Sequence, residues 1–132
     1  MTICWFGIYN PDFGRNKIYI NALKKAGHIV IECQDNSHGL IKYFYLWKKH
    51  RRIKNDYDVI IVGYPGHIVV PFAKLISKKK VIADVLGSLY DAEINSHRPT
   101  FFKKIKSRLA DWLMVRFADK ILLESYAQKK FF

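Results

Sequence analysis

Thr2-Ile3-Cys4-Trp5-Phe6-Gly7-Ile8-Tyr9-Asn10-Pro11-Asp12-Phe13-Gly14-Arg15-Asn16 is the stretch that decides the fold. An apolar run of strand formers passes into a Gly/Asn/Pro/Asp loop, and the helical pattern that follows closes on Lys24-Lys25-Ala26-Gly27. A second apolar run, 28–33, comes directly after. Strand, loop, helix and strand in this order form the opening unit of a parallel sheet, and such sheets bind ligands where strand gives way to loop. The loop is therefore the first place to look for function.

Working outward, strand-like runs recur at 57–63, 80–86 and 120–124, joining those at 2–8 and 28–33. They are short and nearly continuously apolar, the mark of strands covered on both faces. Residues 15–26 place Tyr19, Ala22, Leu23 and Ala26 on one stripe, with Gly27 where a helix stop belongs. Further helical patterns cover 39–54 and about 69–78, the latter after Pro65-Gly66. A last one opens at Pro99 and runs to about Ala118. This alternation predicts an α/β fold: a single Rossmann-like domain over 1–132, with a doubly wound parallel sheet of order 3-2-1-4-5 and helices on both faces. Residues 125–132 read as the first turns of another helix that stops without a cap. The chain thus reads as the front portion of something longer.

Composition bounds the function. Of the 132 residues half are apolar and 15% aromatic, too hydrophobic for a disordered chain. A formal net charge of +12 attracts phosphates, whether on nucleic acid, anionic lipid or a nucleotide-linked substrate. Cys4 and Cys33 fall inside predicted strands without metal-like spacing, as buried thiols of a reducing, cytoplasmic compartment do. No metal site and no cofactor are expected. No apolar run approaches the roughly 20 residues of a spanning helix, and the N-terminal run reads as a strand rather than a leader.

Several α/β classes are excluded. Dinucleotide binders need three closely spaced glycines at the first turn, whereas Gly7 and Gly14 stand far apart with Pro11 between them. A phosphate-binding P-loop is absent. A receiver domain needs acids at the ends of its first and third strands, where this chain has Ile8-Tyr9 and Gly63-Tyr64.

Three stretches resemble the N-terminal half of a family-4-type glycosyltransferase of GT-B architecture. The first is Gly7 through Asn16 with Leu23-Lys24-Lys25-Ala26-Gly27-His28, similar to an "R-N" helix start and an "L-x-x-A-G-H" close. The second, Asp84-Val85-Leu86-Gly87-Ser88-Leu89-Tyr90-Asp91, is similar to a "D…S-x-Y-D" segment. The third, Ala118-Asp119-Lys120-Ile121-Leu122-Leu123-Glu124-Ser125, is similar to an "A-D-x-I-x-x-x-S" strand. Asn95-Ser96-His97-Arg98 departs from the pattern, standing where a subgroup carries an acid–arginine pair.

The resemblance implies an acceptor-binding half-enzyme, inactive alone, for cell-surface glycan or glycolipid synthesis. Its nucleotide-sugar donor would be held mainly by a second domain that these residues do not contain, and its sugar acceptor would be lipid-linked in many cases. On this reading Gly7, Gly14, Arg15 and Asn16 approach phosphate, joined in the crevice by His67, Ser88, Tyr90 and Asp91. Asp84 is the candidate catalytic residue, because a carboxylate inside an apolar strand needs a partner. For Ser88, Tyr90 and Asp91 the competing reading is a loop that caps its own backbone.

Two helices are strongly basic. In the last, Phe101, Phe102, Ile105, Leu109, Trp112 and Leu113 form one side, which is expected to pack on the sheet with a wet basic back. In the second, aromatics surround the axis and an acid-free basic run follows. Trp47, Lys48, Lys49, Arg51 and Arg52 are the candidate contacts to an anionic membrane surface. A non-catalytic membrane- or partner-binding module is therefore one alternative. A basic nucleic-acid-binding domain is a weaker one, since no groove-reading motif is present.

Overall fold

The computed structural model describes residues 1–96, 98 and 100–130. Five strands, β1 (Thr2–Gly7), β2 (Ile29–Gln34), β3 (Val59–Val62), β4 (Lys80–Asp84) and β5 (Lys120–Leu122), form one all-parallel sheet. Helices α1 (Gly14–Lys25), α2 (Ile41–Ile53), α3 (Val69–Ile76), α4 (Leu89–Ile94) and α5 (Phe101–Phe117) alternate with them. The fold is the Rossmann-like α/β arrangement that the strand–helix rhythm predicts.

In chain-order labels the sheet reads β2-β1-β3-β4-β5. Relative to the 3-2-1-4-5 pattern no strand lies outside β2 among the described residues, so the labels on the far side of β1 run one lower. The strand at 59–62 therefore pairs with β1, with Cys4 opposite Ile60 and Phe6 opposite Val62. Burial accounts for its place: Ile60, Ile61 and Val62 are covered on both faces, as an interior parallel strand must be. In β2, Ile29 and Glu32 are exposed, which suits an edge.

Alternation along β1 divides the core. Cys4 and Phe6 point to one face, where Leu46 of α2, Val70 and Ala73 of α3 and Met114 of α5 cover them. Ile3 and Trp5 point to the other, against Ile20 of α1 with Tyr19 and Leu23 alongside. The packing stripe of α1 is thus Asn16, Tyr19, Ile20 and Leu23, a spacing of three and four residues. Ala22 and Ala26, expected on that stripe, are exposed because the bulkier side chains take the sheet-facing side. Cys4 and Cys33 are buried free thiols on adjacent strands.

Two further departures concern the C-terminal third. Helix α5 is capped at Thr100, whose side chain accepts from the Lys103 amide; Pro99, expected to open it, lies outside the described residues. Its buried residues are Ala110, Asp111 and Met114, while Phe101, Phe102, Ile105, Leu109 and Trp112 face outward. The apolar side expected against the sheet is therefore the solvent side. Beyond β5 there is a 3-10 turn at Gln128–Lys130 in place of the first turns of an α-helix, and residues 131 and 132 lie outside the described residues.

Candidate functional site

The chain leaves β1 toward one face of the sheet and β3 toward the other, so a crevice opens between their carboxyl ends. Gly7 ends β1 with φ +142°, a conformation that favours glycine, and its carbonyl accepts from the Asp35 amide. The loop then turns on Asn10, whose side chain accepts from the Asp12 amide and whose carbonyl accepts from the Phe13 amide. Phe13 gives no side-chain cap to α1, and no acid lies in the first turn. The helix thus presents backbone donors and positive potential to the crevice.

Arg15 stands at this helix start. Its Nε and Nη2 donate to the two oxygens of Asp84 at 3.0 and 2.6 Å, a bidentate pair at the carboxyl end of β4. Its Nη1 donates to Glu124, just beyond β5, and its guanidinium lies over the Tyr19 ring at 5.1 Å. The hydrogen bonds to Asp84 raise the Arg15 pKa against the opposing effect of burial, fixing its positive charge. Asp84 is fully buried, whereas the Glu124 side chain is 46% exposed and held only by its rim contact. Above the group opens a groove of about 520 Å³ lined by Phe13, Gly14, Arg15, Ile18, Leu86 and Glu124.

The other predicted residues divide into supports. Asn16 is buried and donates through Nδ2 to the Tyr64 carbonyl at 2.9 Å, tying the loops after β1 and β3 together. Gly63 is required by close approach: a Cβ there would meet Trp5 Nε1 at 2.4 Å and Asn16 Oδ1 at 2.9 Å. His67 is buried beneath the β4–α4 loop, with Nε2 3.0 Å from the Gly87 carbonyl. A carbonyl can only accept, so Nε2 carries the proton. Burial lowers the His67 pKa, opposed by Asp111 and by the bond to Gly87, and favours the neutral ring.

Ser88 caps α4 by accepting from the Asp91 amide, as the turn reading of this segment required. Its hydroxyl donates to Asp111 at 2.6 Å, and the Leu89 and Tyr90 amides donate to the same carboxylate. Tyr90 lies under Arg108, with the guanidinium 5.9 Å from the ring centre. Gly14 and Arg15 thus line the groove, with Asp84 bound behind Arg15; Gly7, Asn16 and His67 lie outside its lining, Asn16 and His67 tying the neighbouring loops, and Ser88, Tyr90 and Asp91 form the start of α4.

Asp111 and Glu124 are the functional candidates that sequence reasoning missed. Asp111 is the single acid of α5, and Glu124 is an acid at the end of the last strand; those were the available signals. On α2, Trp47, Lys48, Arg51 and Arg52 are exposed, with Arg51 stacked 4.8 Å over the Trp47 ring. Lys49 instead turns to the sheet edge and donates to Asp35 and to the Gln34 carbonyl. No group of three His, Cys, Asp or Glu side chains among the described residues is placed to hold a metal ion. Among the described residues no helix is long and apolar enough to cross a membrane.

Compared with protein-family models, curated proteins and solved structures, the chain matches none.

Proposed function

We propose that this chain is the acceptor-side half of a nucleotide-sugar-dependent glycosyltransferase of GT-B type, serving cell-surface glycan or glycolipid synthesis. The observation that carries this reading is the Arg15–Asp84–Glu124 group, set at an uncapped helix start beside an open groove. Glycosyl transfer needs an acceptor hydroxyl placed against an anomeric carbon and stabilisation of a departing diphosphate, and positioned charge supplies both. Asp84 holds the guanidinium in a fixed plane. Both its oxygens are engaged, so its work is positioning. Glu124 is the exchangeable partner: when it swings out, Nη1 and the first amides of α1 face an incoming diphosphate. The groove floor of Phe13, Ile18 and Leu86 gives an acceptor an apolar wall.

A second domain would grip the donor nucleotide and close the groove from above, and the acceptor would be lipid-linked. The protein would work at the cytoplasmic face of a membrane. Reconstitution tests this reading. Extracts of cells lacking the chain should lose transfer of labelled sugar from nucleotide-sugars into the lipid fraction. Purified wild-type chain should restore it, and the Arg15→Gln variant should restore less than about a tenth, as loss of one charge-stabilising contact does. The purified 132-residue chain alone should transfer none. Undiminished transfer in the deficient extract would instead favour a non-catalytic module.

A further inference from the structure

The outward side of α5 has no partner. Phe101, Phe102, Ile105, Leu109 and Trp112 fall within about 100° of one another around the helix axis, and Phe102 and Trp112 are 83% and 58% exposed. Leu75 of α3, 79% exposed, extends the same surface. Between the helices runs an apolar groove of about 420 Å³, lined by Tyr43, Phe72, Leu75, Leu109 and Leu113 among others. A contiguous apolar patch of this kind marks an interaction surface.

Charge says what covers it. Lys104 and Arg108 flank the apolar strip on one side and Lys106 on the other, with Arg116 farther along. The single acid of the helix, Asp111, is buried and occupied by Ser88, Leu89 and Tyr90. The outer surface of α5 therefore carries no negative charge. A second copy would bring like charges together; an anionic bilayer offers apolar depth below a negative headgroup layer.

We propose that α5, with Leu75 of α3, is the face that inserts into an anionic lipid surface, and that the basic residues of α2 lie against the headgroups beside it. This deepens the peripheral part of the functional reading and rests on it, but does not depend on sugar transfer. Insertion places α5 in the plane of the interface, with Phe102 and Trp112 at acyl depth and Lys104, Lys106 and Arg108 at the phosphates. The apolar groove opens on the same surface, in reach of a lipid chain.

The test is sedimentation of the purified chain with phosphatidylcholine vesicles, with and without phosphatidylglycerol. The wild-type chain should pellet only with the anionic vesicles, and its tryptophan emission should shift to the blue, a shift that Trp112→Phe diminishes. Phe102→Ser with Trp112→Ser should weaken binding by about tenfold or more, since both side chains are exposed and their loss leaves the core intact. Circular dichroism checks that the fold is kept. Equal binding by the folded double variant overturns the α5 assignment. If Lys48→Gln, Arg51→Gln and Arg52→Gln together abolish binding while the α5 variant does not, the peripheral reading stands and the inserted face is wrong. Absence of binding to any vesicle overturns both, and self-association of the wild-type chain relieved by the α5 variant overturns the α5 assignment. None of these outcomes bears on transfer activity, which the extract assay reads separately.

Discussion

Arg15 does three things with one side chain: it pairs with a buried carboxylate, reaches an exposed one, and stacks on Tyr19. The pair with Asp84 is the tighter tie, because both partners are largely withdrawn from water. Removing Asp84 leaves a largely buried guanidinium with only its exposed rim partner, which costs about 3 kcal/mol. Asp84→Ala should therefore lower stability in urea by that order, whereas Glu124→Ala, at the exposed rim, should change it by less than about 1 kcal/mol. Equal effects would mean that the rim contact carries the structure. The need of Asp84 for a partner was legible in the sequence, since a carboxylate inside an apolar strand cannot stand alone. That the partner would be Arg15 was not, because the pairing spans from the start of α1 to the end of β4 and only strand order brings the two together.

At the scale of elements, the latch between the β4–α4 loop and α5 decides how firmly the crevice rim is held. Asp111 receives three hydrogen bonds, two of them from backbone amides at the start of α4. Asp111→Ala strands those donors and should cost about 2 kcal/mol. Amide exchange in Leu89–Ile94 should then quicken while that of β1 stays slow. Uniform acceleration across the sheet would show that the latch is part of the global core instead.

The strands and long helices were readable because apolar runs and helical spacing report them directly. Helix α4 was not: its six residues are too few for a periodic pattern, and its stability comes from the Ser88 cap and from Asp111 in another helix. The orientation of α5 was misread for a related reason. Its sheet-facing side is made by Ala110 and Met114, smaller in apolar bulk than the outward Phe and Trp residues, so the largest apolar side was not the packed one.

For the whole molecule, two buried histidines set a pH dependence. Burial lowers the pKa of His50, aided by Lys54, and lowers that of His67 against the pull of Asp111 and Gly87. His50 Nε2 lies 2.5 Å from Tyr57 Oη, which in turn is 2.9 Å from Ser77 Oγ, so the neutral ring is built into the core. A histidine whose folded pKa lies below its unfolded value of 6.5 takes up protons on unfolding. Its contribution is therefore complete above that value and falls away as pH drops toward the folded pKa. The melting temperature should decline between pH 7 and 5, and His50→Gln with His67→Gln should flatten that slope. A slope unchanged in the double variant would assign the loss to other groups.

On the proposed function, the crevice around Arg15 receives a phosphate-bearing ligand. Nitrogen-15 NMR of the labelled chain, titrated with inorganic pyrophosphate, reads this binding at the residues concerned. The amides of Gly14, Arg15 and Asn16 and the Arg15 side-chain Nε should move together and saturate, and the Arg15→Gln variant, with its fold confirmed by the same spectrum, should show no such movement. Saturable shifts confined to another basic surface such as Lys78–Lys79–Lys80, or a response at Gly14–Asn16 that survives Arg15→Gln unchanged, would contradict it.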